Sequence, residues 1–190
     1  TRHRAGPSIG DGGIMNEDRP VLPWRQGVGM CLFNRDGLVL MAERRDTPGA
    51  WQMPQGGIKA GEEPHQVALR ELKEEIGTDN ARIIAMMPEK LRYEFPDFLQ
   101  WRGGVFRGKY RGQEQVWFAL EYLGQDSDID LSGEHEPELP EFIAWKWVEL
   151  SATPDMIVPF KKPVYEAMVT AFTPFATRIK AGEKLAAWQG

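Results

Sequence analysis

Residues 56–78, GGIKAGEEPHQVALRELKEEIGT, constrain this 190-residue chain more than any other stretch. A loop carrying Gly56, Gly57 and Gly61 is supple enough to bring backbone groups close to a ligand. It runs into a segment whose spacing predicts a helix over residues 64–76. Pro64 suits a first helical position, where its missing N–H costs nothing, and Gly77 suits the left-handed residue that ends a helix. Leu69, Leu72, Lys73 and Ile76 recur at three and four, predicting an apolar stripe closed by a lysine stem. Glu71, Glu74 and Glu75 project within roughly 60° of one another at about 100° per residue. Three carboxylates on so short an arc repel, and a hard cation relieves that repulsion; Mg²⁺ takes such oxygen ligands and keeps waters and phosphates as the rest of its shell. Arg70, next in sequence, can orient or neutralise part of the cluster. Taken alone, R-E-L-K-E-E is ordinarily a solvated acidic helix face. The complete spacing, with Gly56, then Glu62 after five residues and Arg70 after seven more, shifts the reading to a metal site.

The length allows one domain with tails, and an apolar fraction of 42% with seven Trp supplies a sizeable core. A net charge of −5 gives no bulk attraction to nucleic acid, so a polyanion would be held locally by metal and a few placed Arg and Lys; DNA is not expected as a partner. The single Cys31 lies in an apolar run and reads as a core thiol. No apolar run reaches the length of a membrane span and no secretory leader is visible, so the expectation is a cytoplasmic protein. Residues 1–20 read as a disordered tail or leader, with Met15 a plausible native start. Residues 21–177 form the expected domain, and residues 178–190 a C-terminal helical extension or tail.

Apolar runs at 27–33 and 38–42, joined by Asn34-Arg35-Asp36-Gly37, predict a β-hairpin. Residues 82–87 predict a strand that 91–95 extends before Pro96. Residues 97–112 read as irregular and basic, with Arg102, Arg107, Lys109 and Arg111. Strands follow at 115–123 and 143–148. Residues 159–172 predict a helix with Phe160, Val164, Ala167, Met168 and Ala171 as its stripe, and Thr173-Pro174 a cap that starts a second short helix. This order predicts an α/β (α+β) sandwich with a mixed sheet. His65 and His135 show no ligand spacing and read as surface residues.

The spaced pattern G-x5-E-x7-R-E-U-x-E-E-x-G resembles the Nudix box, with only Thr78 standing where the box has a bulky aliphatic. The resemblance extends over residues 21–177 through Trp24-Arg25-Gln26-Gly27, Arg44-Arg45, Trp51-Gln52-Met53-Pro54-Gln55-Gly56-Gly57, Leu91-Arg92-Tyr93, Glu141-Phe142 and Phe160-Lys161-Lys162. These stretches are similar to those of the RNA 5′-pyrophosphohydrolases and the kindred dinucleoside polyphosphate hydrolases. The resemblance implies the Nudix α/β/α sandwich. It implies Mg²⁺, with Mn²⁺ or another divalent cation able to substitute, on Glu71, Glu74 and Glu75, with the Gly56 carbonyl as a further ligand. One of these glutamates, assisted by Arg70, orients or deprotonates the attacking water. Arg25 is implied to contact phosphates, Arg45 and Phe160 to sandwich a base, Lys161 to contact the next nucleotide, and Gln52 to join the substrate-binding set. The family's further acidic ligand falls at Asp128, with Glu134, Glu136 or Glu138 as substitutes. The implied reaction is conversion of an RNA 5′-triphosphate end to a monophosphate, which initiates RNA decay. Hydrolysis of a nucleoside polyphosphate such as diadenosine tetraphosphate is the nearest alternative. A non-catalytic nucleotide- or RNA-binding module is disfavoured by the intact Arg70, Glu71, Glu74 and Glu75.

Overall fold

The structure, a computed structural model, describes residues 21–101, 106–132 and 139–190. The expected tail at 1–20, together with Arg102, Glu134, His135, Glu136 and Glu138, lies outside the described residues. The elements run β1 (Trp24–Phe33), β2 (Val39–Arg44), β3 (Trp51–Gln52), β4 (Gln55–Gly57), α1 (Pro64–Ile76), β5 (Ala81–Met86), β6 (Leu91–Glu94), α2 (Asp97–Trp101), β7 (Gly112–Tyr122), β8 (Phe142–Val148) and α3 (Lys162–Lys180). The sheet order is β3-β2-β1-β7-β5. β1 and β7 pair in parallel at its centre, and the remaining pairs are antiparallel, so the sheet is mixed as expected.

The apolar runs are continuous because the central strands are covered on both faces. Val28, Met30 and Leu32 of β1, with Phe118 and Leu120 of β7, pack under Val67, Ala68, Leu72 and Ile76 of α1. Alternate residues, Cys31 and Phe33 of β1 with Trp117 and Ala119 of β7, face Val164, Tyr165, Met168 and Phe172 of α3. Each large side chain buried this way contributes roughly 1.5–3 kcal/mol. Cys31 is fully buried, which holds its thiol protonated and inert. The β1–β2 turn forms because the Asn34 carboxamide oxygen accepts the N–H groups of Asp36 and Leu38, both at 3.0 Å, while Gly37 takes φ 72°. β6 continues β5 along the same edge of β7.

Three expectations need correction. The buried stripe of α1 is Val67, Ala68, Leu72 and Ile76; Leu69 is half-buried and Lys73 exposed. The stripe is rotated because the sheet contact, not the helix sequence, chooses the inward face. Residues 97–112 include the short helix α2. Thr173-Pro174 does not start a helix: α3 runs unbroken from Lys162 to Lys180 with Pro174 inside it. An internal proline costs ~3 kcal/mol, but Met168, Phe172, Ala176 and Ile179 continue one buried face across it. Pro174 itself is exposed, and the Thr173 hydroxyl donates to the Val169 carbonyl at 2.6 Å. Beyond α3, Leu185 is buried, Trp188 stacks edge-on with Phe118 at 5.7 Å, and the Trp188 N–H donates to the Ile83 carbonyl on edge strand β5. Among the described residues no helix is long and apolar enough to cross a membrane.

Candidate functional site

Gly27, Val28 and Gly29 of β1 pair with Gly57, Gly56 and Gln55 of β4. This pairing carries the glycine loop across the sheet and lays it beneath α1. A Cβ at Gly56 would sit 2.3 Å from Glu71 Cγ, and one at Gly57 would sit 2.4 Å from Arg25 Nη2. Both glycines are therefore demanded by close approach, and they seat a carboxylate and a guanidinium against backbone. The result is a cleft of about 600 Å³.

One end of the cleft is acidic. Glu71 and Glu75 line it, joined by Glu141 from the segment leading into β8. Burial, then Glu74, raises the Glu71 carboxyl to about 7; Arg70 and Arg25 oppose the rise and Glu141 adds to it. Burial raises Glu75 well above the usual carboxylate range, and Glu141 and Glu71 push it further, against the Gln55 N–H that donates to it at 3.2 Å. Each carboxylate makes its neighbour harder to ionise, which is the electrostatic mark of a site suited to positive charge. Arg70 bridges Glu62 at 2.7 Å and Glu71 at 3.5 Å, so it fixes the helix face rather than reaching into the cleft. The exposed Glu74 faces a second cavity with Glu71. These carboxylates are neighbours, not a closed shell: among the described residues no three acidic, His or Cys groups converge closely enough to hold an ion. Their chemistry, hard oxygen donors beside an exposed-backbone glycine, nevertheless fits a divalent cation.

The other end is aromatic and basic. Tyr93, Phe95, Phe106 and Phe160 form its walls, with Arg44, Arg45 and Lys161 among them. Phe160 packs against Tyr93 with ring centres 5.8 Å apart. Arg45 is exposed and pinned, its Nε donating to the Pro140 carbonyl at 2.8 Å and its N–H to the Glu141 carbonyl at 2.9 Å. The ammonium of Lys161 is buried, donates to Gln52 Oε1 at 3.3 Å and lies 5.2 Å from the Tyr93 ring centre. Burial and the nearby Arg44 lower it to about 7, against Glu141 and Asp46. The Tyr93 hydroxyl is buried beside Gln55 and Gln113 without a well-formed hydrogen bond. Between the two ends, the Arg25 guanidinium lies 4.6 Å from the Phe106 ring centre.

The structure thus brings Arg25, Arg45, Gln52, Gly56, Glu71, Glu75, Phe160 and Lys161 to one cleft. It does not bring Asp128 there. The loop after β7 closes the C-terminal end of α1, where the Asp130 N–H donates to the Ile76 carbonyl at 2.8 Å. Asp128 is exposed in a 3₁₀ turn and accepts the Gln125 N–H at 3.0 Å. Glu141 was missed as a site residue. Its signal was present in Glu141-Phe142, but only the β2–β8 pairing that ends at Arg44 and Phe142 sets it against Glu75. Of the basic loop, Arg111 pairs with Glu94, and His65 packs on Trp188 at 5.8 Å.

The NUDIX domain family matches residues 23–168. A Rhodospirillum rubrum protein named RNA pyrophosphohydrolase is 50% identical over 155 residues, covering 82% of this chain and 90% of its own. An Erythrobacter litoralis protein of the same name is 50% identical over 159 residues, covering 82% and 94%. Among solved structures, the Escherichia coli dihydroneopterin triphosphate pyrophosphohydrolase superposes with TM-score 0.55 at 24% identity, covering 80% of this chain and 99% of its own, a likeness of fold alone.

Proposed function

This chain belongs to the Nudix family, and from that premise we propose that it hydrolyses the 5′-triphosphate end of RNA to a 5′-monophosphate, acting on phosphoanhydride bonds in the cytoplasm. The observation that carries the reading is the union, in one cleft, of a carboxylate cluster with a base-sized aromatic and cationic clamp, and Arg25 between them.

In this reading Phe160 and Arg45 stack a base near the 5′ end, since an aromatic face and a guanidinium plane grip any base. Lys161 and Gln52 hold the adjoining nucleotide, and Arg25 forks onto the phosphates. Glu71, Glu74 and Glu75, the Gly56 carbonyl and, in place of Asp128, Glu141 would hold Mg²⁺ or a similar divalent cation. When bound, that ion neutralises phosphate charge and lowers the pKa of bound water. A carboxylate of the cluster takes the proton of the attacking water. The water oxygen bonds to phosphorus, the bridging P–O bond breaks, and its electron pair departs on the leaving phosphate oxygen. Arg70, tied to Glu62 and Glu71, keeps the acidic face oriented.

The test is to give the purified protein, with Mg²⁺, 5′-triphosphorylated RNA and diadenosine tetraphosphate side by side. The reading expects the higher kcat/KM on RNA and loss of turnover in Glu75→Gln. A much higher kcat/KM on the dinucleotide overturns the RNA assignment, and absence of turnover on either substrate turns the site into a binding module.

A further inference from the structure

The sheet face under α3 has a gap in β1. Cys31 and Phe33 cover that face with side chains, but the two positions before them in the alternation, Gly27 and Gly29, carry none. These glycines lie beside Gln115 and Trp117 of β7 on one side and beside Gly57 and Gln55 of β4 on the other. A Cβ at Gly29 would stand 2.4 Å from the Trp117 ring, and one at Gly27 would stand 3.2 Å from Gln113 Oε1. The gap therefore lets side chains of β7 cross β1. Gln115, fully buried, reaches β4 through it, its Nε2 donating to Gln55 Oε1 at 3.1 Å. We propose that Gln115, oriented by Trp117, is a positioning residue for the reaction: it tethers Gln55, and through Gln55 the short glycine strand that holds Glu75. The effect on turnover rests on the phosphoanhydride reading above; the effect on the strand rests on the side-chain network alone.

The network runs in one direction. An indole N–H only donates, so the buried Trp117 Nε1 takes the Gln115 side-chain oxygen, at 3.2 Å. The Gln115 amino group is thereby turned toward the oxygens of Gln55 and, at 3.4 Å, Gln113. A carboxamide accepts at one end and donates at the other, and a methionine of similar length does neither. An apolar residue at 115 would fill the same space without the desolvation cost of a buried carboxamide, and it would leave β4 held by main chain only. β4 needs the tether. It is three residues long, two of them glycine, and among the described residues it pairs with β1 alone. Its outer edge is where the Gln55 N–H donates to Glu75 Oε2 at 3.2 Å. Gln55 is the one residue of β4 with a side chain, so its carboxamide is the handle by which the core grips the strand.

Gln115→Met keeps length and volume while removing the hydrogen bonds, and Gln55→Met cuts the same link from its half-buried end. The first measurement is amide hydrogen exchange by NMR on the metal-free whole chain, with Leu32 in the core of β1 as internal reference. Relative to Leu32, the Gln55, Gly56 and Gly57 amides exchange about tenfold faster in either variant and no faster in the double variant. The second is steady-state turnover of triphosphorylated RNA with Mg²⁺. Gln115→Met lowers kcat about tenfold with KM within about twofold, and the double variant falls no further than Gln55→Met alone. Exchange that rises equally at Gly56 and Leu32, or losses that add in the double variant, make Gln115 a packing residue and overturn the tether. Unchanged kcat in a protein that cleaves RNA overturns its part in the reaction. Should Gln115→Met fail to fold, Gln55→Met decides alone, and unchanged relative exchange at Gly56 overturns the proposal. A chain that cleaves no RNA refutes the RNA reading; coupled exchange at Gly56 in that chain still upholds the tether, and uncoupled exchange still overturns it.

Discussion

Replacing Glu71 by Gln should stabilise the metal-free protein while removing its activity, and the gain should depend on pH in a defined direction. The Glu71 carboxyl rises from 4.5 to about 7 because its side chain, 17% exposed, is desolvated beside Glu74 and Glu141. Below 4.5 the group is protonated in both folded and unfolded chains and exacts no penalty. Between 4.5 and 7 the unfolded chain loses its proton first, so stability falls as pH rises, and above 7 the penalty is complete. At about 1.4 kcal/mol per pH unit the full cost is roughly 3 kcal/mol. The glutamine side chain carries no charge and escapes it. In a chelator, urea or thermal unfolding should therefore show wild type and Glu71→Gln alike near pH 4.5, and the variant more stable by up to ~3 kcal/mol at pH 8, or roughly 5–10 °C in Tm for a chain of this length. Saturating Mg²⁺ should narrow the gap, because a cation bound to the native carboxylates stabilises wild type by mass action. Equal stability at pH 8 would refute the electrostatic account of the site. So would a gain identical at pH 4.5 and 8, since that would be a packing effect.

Gly29→Ala should destabilise by about 2–3 kcal/mol, because the added Cβ would lie 2.4 Å from the Trp117 ring in a fully packed core; denaturant midpoints measure it. Lys161→Met should raise stability at pH 7 by roughly 1–4 kcal/mol, since the buried ammonium is penalised increasingly as pH falls from 10.5 to about 7. The same variant should match wild type near pH 10.5 and raise KM for RNA. Glu141→Gln should keep the fold and lower kcat/KM on triphosphorylated RNA by about 10- to 100-fold, whereas Asp128→Asn should leave it unchanged.

Local pattern was enough for the elements whose determinants are local. Pro64 and Gly77 mark the ends of α1, Asn34 and Gly37 dictate the first turn, and the spacing of Glu71, Glu74 and Glu75 puts three carboxylates on one helix face whatever surrounds it. The box also carried the family, because its residues are contiguous and their spacing reflects one loop and one helix. Pattern failed where the deciding contact was distant in the chain. Pro174 reads as a helix start until the α3 face that packs on the sheet is seen to continue through it. Lys73 reads as the edge of a stripe until the sheet selects Val67 and Ala68 instead. Asp128 stands in the right sequence neighbourhood for a fourth acidic group, yet its loop turns to close the end of α1. The pairing of β8 with β2 brings Glu141 to Glu75 from far along the chain. Sequence alone therefore determined the chemistry of the acidic helix. Only the tertiary structure decided which remote side chains complete the site, because their approach is set by strand pairing and two-sided burial of the sheet, which no local spacing encodes.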